Sequence, residues 1–268
     1  MGKLSRYAGR TAMVTGAGDG IGKMLAMKLA EAGMTVCIQD IREDAAAAVV
    51  EEIGGAAFSM AFDISDRDAV ADAAVLFERE HGDLAMLWIN AGVGVGASLL
   101  EGKPDQVRWA YDVNVLGAIW TAQCFVPLLK GDPRHVGITA STAALRAPEG
   151  DFPLYAATKH GTMAVAEALR GELAAKNIET TILCPGLLNT EIWDGAKARP
   201  ERFGGERRMD PKIAGMWRDA KTPDAMWPDI ERVMATGGGT LVCATDDGET
   251  RAAMRERIDA IENGLVEL

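Results

Sequence analysis

Along this 268-residue chain, short continuous apolar runs alternate with longer stretches of helical period. The short runs fall at residues 11–14, 34–39, 56–62, 84–89, 135–140, 178–184 and 240–244. Apolar runs of this length read as strands buried on both faces. Between the first two, residues 23–32 carry Met24, Leu25, Ala26 and Leu29 at helical spacing, and Gly33 follows as a stop. Further helices are expected over 43–53, from a Ser65 or Asp66 cap to about His81, over 105–129 as one long helix, over 153–175, over 222–235 with Thr222 as cap, and over 249–262.

Strand and helix alternate almost without a break. That order predicts an α/β fold: a doubly wound, parallel, seven-stranded sheet of Rossmann type with helices on both faces. No repeat, linker or shift of composition divides the chain, so residues 1–268 are expected to form one domain. Residues 187–221 interrupt the rhythm with Trp193, Trp217, Gly204-Gly205 and many charges. This stretch is expected to be a small substrate lid with one or two short helices.

The chemistry begins at the first turn, Thr15-Gly16-Ala17-Gly18-Asp19-Gly20-Ile21-Gly22. Backbone N–H groups approach a diphosphate closely only where no Cβ intervenes, and a following helix N-terminus adds partial positive charge. Asp40 stands at the end of the second strand, 20 residues after Gly20, where an acid can bind a ribose diol. Tyr155 and Lys159 lie four apart in a predicted helix and so share a face. A phenol with an ordinary pKa of about 10 is a poor base at neutral pH, and a neighbouring ammonium lowers that value. Ser141 precedes Tyr155 by 14 residues, just past the fifth strand. The glycine turn, Asp40, Asp63, Asn90, Ser141 and Pro185-Gly186 all fall at carboxyl ends of predicted strands, the edge where such sheets bind ligands.

Together these motifs resemble the short-chain dehydrogenase/reductase family over residues 8–190 and more weakly to about 245. The resemblance implies Ser141, Tyr155 and Lys159 as the catalytic set, with Asn114 holding a water in a proton relay to the lysine. It implies a nicotinamide dinucleotide held at Gly16, Asp19, Gly20, Ile21, Gly22 and Asp40, and the Asp40 and Asp19 charges, which would repel a 2′-phosphate, point to NAD over NADP despite Arg42 nearby. The adenine is expected beside Asp63-Ile64, and Asn90-Ala91-Gly92 follows strand four. Tyr155 and Lys159 meet the nicotinamide end, whose carboxamide is expected beside Pro185, Gly186, Leu188 and Thr190. The implied reaction is hydride transfer between a secondary alcohol and a ketone, with Tyr155 as general acid/base. Trp193, Met209, Met216 and Trp217 in the lid suggest an apolar or aromatic substrate. Two features depart from the family pattern. The interval from Ser141 to Tyr155 is one residue longer than usual, which suggests an insertion around Glu149-Gly150-Asp151. The chain also ends in a helix instead of the strand and Asp-Gly-Gly tail of many tetrameric members. A homo-oligomer is expected, with a dimer through the helices starting near Asp105 and Pro153 favoured. The competing readings are a catalytically idle dinucleotide-binding regulator, which has no need of the Ser-Tyr-Lys-Asn set, and a Rossmann-like methyltransferase, whose glycine turn differs.

Composition narrows the partners. A net charge of −11 argues against nucleic acid and anionic membranes. Residues 1–10 are polar and basic, unlike a signal peptide, and no apolar run approaches a membrane span. Cys37, Cys124, Cys184 and Cys243 show neither a zinc spacing nor a disulfide framework, and His81, His135 and His160 form no visible metal cluster. The expectation is a metal-free cytoplasmic enzyme with reduced thiols.

Overall fold

The computed structural model describes residues 4–146, 152–207, 217, 219–243 and 248–263. Its strands are β1 (Thr11–Thr15), β2 (Thr35–Asp40), β3 (Ala57–Ala61), β4 (Met86–Ile89), β5 (His135–Thr139), β6 (Glu179–Pro185) and β7 (Gly238–Cys243). All pair in parallel in the order β3-β2-β1-β4-β5-β6-β7. The chain starts in the middle, builds outward to β3, then returns to β1's other side with β4. The turns after β1 and β4 therefore diverge at one point, the crevice that doubly wound sheets use for ligands.

Successive residues of each strand face opposite sides. Met13 and Cys37 enter one core, while Ala12, Val14, Val36 and Ile38 enter the other. The first core is closed by α3 (Arg67–His81), α4 (Pro104–Tyr111), α5 (Gly117–Phe125) and α6 (Pro153–Ala174). The second is closed by α1 (Gly20–Glu31), α2 (Glu43–Ile53) and α7 (Trp227–Ala235). A final helix, α8, spans Glu249–Asn263 and buries only Thr250.

Several boundaries differ from the sequence expectation. The long helix over 105–129 is not uniform: Asp112–Leu116 is a π-helical turn between α4 and α5, and Val126–Leu128 is a 3-10 turn. Asn114 sits in the middle of that π turn, a type of irregularity that recurs at functional sites. Asp66, not Ser65, caps α3, accepting from the N–H groups of Asp68 and Ala69. The segment after Thr222 opens as a 3-10 turn, Pro223–Met226, and the Thr222 side chain makes no cap bond. Of the cysteines, Cys37 and Cys184 are buried and Cys124 and Cys243 half-buried, all as free thiols.

At the amino edge of the sheet, opposite the crevice, Glu179 collects donors. It accepts from Arg6 at 2.8 and 2.5 Å, from the Tyr7 hydroxyl at 3.0 Å and from His135 Nδ1 at 3.5 Å. These bonds hold its carboxyl down at about 2. His135 is fully buried between this carboxylate and the Thr181 hydroxyl, and burial lowers its pKa.

Candidate active site

The carboxyl edge of the sheet carries one continuous cleft of about 460 Å³. Of the cofactor-binding and catalytic candidates read from the sequence, all but Gly22 and Asn114 line it.

The glycine turn is shaped by close approach. Gly16 has φ +62°, and a Cβ there would stand 2.7 Å from the Ala91 Cα. The turn after β1 and the turn after β4 thus touch backbone to backbone. Thr15 fixes that contact: its hydroxyl oxygen accepts from the N–H groups of Asn90 at 2.9 Å and Ala91 at 3.1 Å. Asn90 answers with its amide, donating to the Thr15 and Gly16 carbonyls. Gly22 faces inward, since a Cβ there would lie 2.1 Å from the Gly16 carbonyl oxygen. Its task is to let α1 pack under the turn.

The end of β2 braces the same turn. The Gln39 side chain accepts from the Gly16 N–H at 3.2 Å and donates to the Phe62 carbonyl at 2.7 Å. Asp40 is buried and accepts from the Gly18 N–H at 3.0 Å and the Arg42 N–H at 3.0 Å. Arg42 pairs with Asp40 at 3.3 Å and with Glu191 at 3.4 Å. Asp19 caps α1 by backbone position alone, and its carboxylate accepts from the Glu191 N–H at 3.1 Å. Next along this edge, Asp63 binds Ser65 and pairs with Arg202 at 2.7 Å.

The other end of the cleft holds the acid/base candidates. Ser141 follows β5, and its oxygen accepts from the Ala143 N–H at 3.1 Å. Tyr155 and Lys159 share one face of α6, with the Lys159 Nζ 5.8 Å from the Tyr155 ring centre. Burial pushes the Tyr155 phenol up to about 12, and a hydrogen bond with Ser141 opposes that rise. Burial also drives the Lys159 ammonium down to about 8. The Ser141 hydrogen bond thus favours the phenolate against the desolvation that raises the phenol. The lysine lies under the backbone of Gly92, where a Cβ would stand 3.2 Å from both its Nζ and the Asn114 Oδ1. Asn114 accepts from the Val93 N–H at 2.8 Å and donates to the Val93 carbonyl at 3.0 Å and to Thr158 at 2.9 Å. Its own carbonyl takes the Thr162 hydroxyl at 2.8 Å. The π turn therefore ties the loop after β4 to the helix that bears Tyr155 and Lys159.

The first part of the predicted lid descends over the cleft as 3-10 turns, Ile192–Ala198 and Glu201–Phe203. Trp193 is buried, with its ring centre 4.2 Å from Phe152 and 5.0 Å from Tyr155. Trp217 stacks on Trp193 at 5.6 Å with 18° between the planes. Trp193 lies directly on Gly94, where a Cβ would be 2.5 Å from the indole. Met209, Met216 and the stretch Glu149-Gly150-Asp151 lie outside the described residues.

Whether these residues fit a nicotinamide dinucleotide follows from the cradle itself. Cβ atoms at Gly16 and Gly18 would collide with Ala91 and Asp40, and one at Gly20, where φ is +57°, would press on the Thr190 side chain at 3.1 Å, so the backbone at the start of α1 stays bare. A buried carboxylate waits at the end of β2, and the cleft continues unbroken to Tyr155. The fit is good at each point.

Comparison with known proteins agrees. The short chain dehydrogenase family model matches residues 10–201. The chain belongs to the short-chain dehydrogenase/reductase family. It is 36% identical over 224 residues to 1-deoxy-11-beta-hydroxypentalenate dehydrogenase of Streptomyces avermitilis, covering 81% of this chain and 79% of the relative. It is 31% identical over 195 residues to estradiol 17-beta-dehydrogenase 11 of Mus musculus, covering 70% and 65% of the two chains. A crystal structure of a short-chain dehydrogenase/reductase from Burkholderia phymatum in complex with NAD superimposes with a TM-score of 0.87, at 26% identity, over 98% of this chain and 99% of that one. The chain is therefore an oxidoreductase of a family that binds nicotinamide dinucleotides. Among the described residues, no helix is long and apolar enough to cross a membrane.

The sequence reading missed several supporting residues. Gln39, Thr158 and Thr162 position the site without belonging to a motif named above, and Thr15, which opens the glycine turn, also anchors the turn after β4. Their visible signal was polarity at the ends of apolar strands and on a largely apolar helix face.

Proposed function

We propose that the protein is an NAD-dependent alcohol dehydrogenase/ketone reductase acting on an apolar or aromatic secondary alcohol. The observation that carries this reading is the convergence of Ser141, Tyr155 and Lys159 at one end of a cleft whose other end is the glycine turn. Ser141 donates to the substrate oxygen and orients it. Tyr155 takes the hydroxyl proton in oxidation and returns it in reduction, as a positioned acid/base. Lys159 holds the nicotinamide ribose and supplies positive charge beside the phenol. When bound, the dinucleotide supplies the hydride acceptor or donor. Asp63 and Ile64 flank the adenine, and Pro185, Gly186, Leu188 and Thr190 flank the carboxamide.

NAD is preferred over NADP because Asp40 puts a buried carboxylate where a 2′-phosphate would lie. Arg42 does not offset this, since Asp40 and Glu191 already engage it. An oxidised nicotinamide ring beside the phenol would favour the phenolate in the same direction as the Lys159 ammonium. We extend the reading to a homo-oligomer, supported by exposed Leu99, Leu100 and Tyr111 around α4. Light scattering at micromolar concentration tests that part.

The main test is absorbance at the reduced-nicotinamide band with a panel of secondary alcohols and both dinucleotides. Tyr155→Phe should retain dinucleotide binding and lose about 10²–10⁴-fold in kcat. Retained turnover in that variant, or equal efficiency with NADP, overturns the corresponding claim.

A further inference from the structure

Arg42 stands two residues past Asp40, the last residue of β2, and both line the cleft. In doubly wound sheets an acid at this point binds the free ribose diol of NAD, whereas an arginine nearby accommodates the 2′-phosphate of NADP. The chain therefore carries both determinants side by side. What decides between them is how Arg42 is held.

Carboxylates from two parts of the chain hold it. Asp40 Oδ1 accepts from the Arg42 backbone N–H at 3.0 Å and from its Nε at 3.3 Å. Glu191 Oε2 accepts from Arg42 Nη1 at 3.4 Å. Asp40 is a near neighbour in sequence, but Glu191 comes from the start of the lid, 149 residues away. Its backbone is fixed there. The Glu191 N–H donates to the Asp19 carboxylate at 3.1 Å, and its carbonyl accepts from the Asp194 N–H at 2.8 Å. The next carbonyl, of Ile192, accepts from the Gly94 N–H at 2.8 Å. The carboxylate thus reaches Arg42 from a seat set by the turn after β1 and the loop after β4. Burial opposes the Arg42 charge, but Asp40, Glu191 and Asp19 outweigh it and raise its pKa. Lys197, further along the lid, pairs with Asp194.

We propose that Glu191 is a specificity residue for the dinucleotide: from the lid it engages the Arg42 guanidinium that a 2′-phosphate would use, and so weighs against NADP. A guanidinium clasps a phosphate through its forked N–H groups, and Glu191 already takes one of them. A phosphate must displace Glu191 or share Arg42 with it, and sharing brings two anions together. The diol of NAD is neutral and makes no such demand. This assignment rests on the reading of the cleft as a dinucleotide site, and it adds the residue through which the lid takes part in the choice.

The test is fluorescence titration of the full chain with NADH and with NADPH, which reads binding without turnover. The Arg42–Glu191 pair is partly exposed, so removing it should change affinity about two- to fivefold. Glu191→Gln should tighten NADPH by that factor and change NADH less. Arg42→Gln removes the cation, and in that background Glu191→Gln should leave the ratio of the two affinities unaltered. A wild-type ratio in Glu191→Gln, an equal change for both dinucleotides, or the same gain with and without Arg42 overturns the proposal. The wild-type chain tests the underlying reading separately. If it prefers NADPH while Glu191→Gln still shifts the ratio further that way, the NAD assignment fails and the role of Glu191 stands. If it binds neither, both fall.

Discussion

The carboxamide of Asn114 grips the backbone of Val93 from both sides, accepting its N–H at 2.8 Å and donating to its carbonyl at 3.0 Å. With the bond to Thr158 at 2.9 Å, this makes Asn114 the joint between the loop after β4 and α6, the helix that bears Tyr155 and Lys159. Asn114→Ala breaks three buried hydrogen bonds worth about 1 kcal/mol each, so roughly 3 kcal/mol of stability should be lost. For a domain of this size that is about 6–12 °C in Tm, readable by calorimetry. An unchanged Tm would mean that the joint bears no strain.

Lys159 should reduce stability at neutral pH. Its pKa is lowered from 10.5 to about 8 by burial. Below pH 8 both folded and unfolded chains carry the charge, and the folded state bears the full desolvation cost. Between pH 8 and 10.5 the folded state has released a proton that the unfolded state keeps, so stability rises with pH. Lys159→Met should therefore be more stable at pH 7 by about 2–3 kcal/mol while inactive. The advantage should shrink as denaturant titrations move from pH 8 toward 10.5.

Glu179 should dominate the acid side. Its carboxyl is lowered from 4.5 to about 2, first by His135 and then by Arg6 and Tyr7. A depressed carboxylate contributes stability that is full above pH 4.5 and is lost as pH falls toward 2. Glu179→Gln should cost about 2 kcal/mol at pH 7 and flatten the acid limb of the stability curve, with kcat/KM unaffected because the network lies on the far edge of the sheet. A wild-type acid limb in the variant would refute this.

Gly94→Ala tests the seating of the lid. The added methyl would meet Trp193 at 2.5 Å and force the indole off the cleft. A misplacement of about 1 Å at the reacting end can cost about 10²-fold, so kcat/KM should fall roughly 10–100-fold with dinucleotide affinity nearly unchanged. Equal loss of dinucleotide affinity would show that the lid serves the cofactor more than the substrate.

How far the sequence carried can be read from particular residues. The strands were legible because parallel strands buried on both faces are continuously apolar, and the glycine turn because its spacing is dictated by backbone contact. The placing of Ser141, Tyr155 and Lys159 along one cleft was legible because they sit at a strand end and on one helix face. The π turn was not, since Asp112-Val113-Asn114-Val115-Leu116 has ordinary helical composition. The desolvation that dominates both Tyr155 and Lys159 was not legible, because spacing reports proximity and not burial. The Asp63–Arg202 pair spans 139 residues and leaves no local trace.

The stacked indoles of Trp193 and Trp217 have an optical consequence. Two such chromophores, 5.6 Å apart and 18° from coplanar, couple their electronic transitions and give circular dichroism that neither gives alone. Trp88, sealed in the core against Thr139, contributes a constant background. A molecule that enters between the lid and Tyr155 and shifts one indole against the other would change the coupled signal. The cleft thus carries an intrinsic reporter of its own occupancy, visible without a label and without turnover.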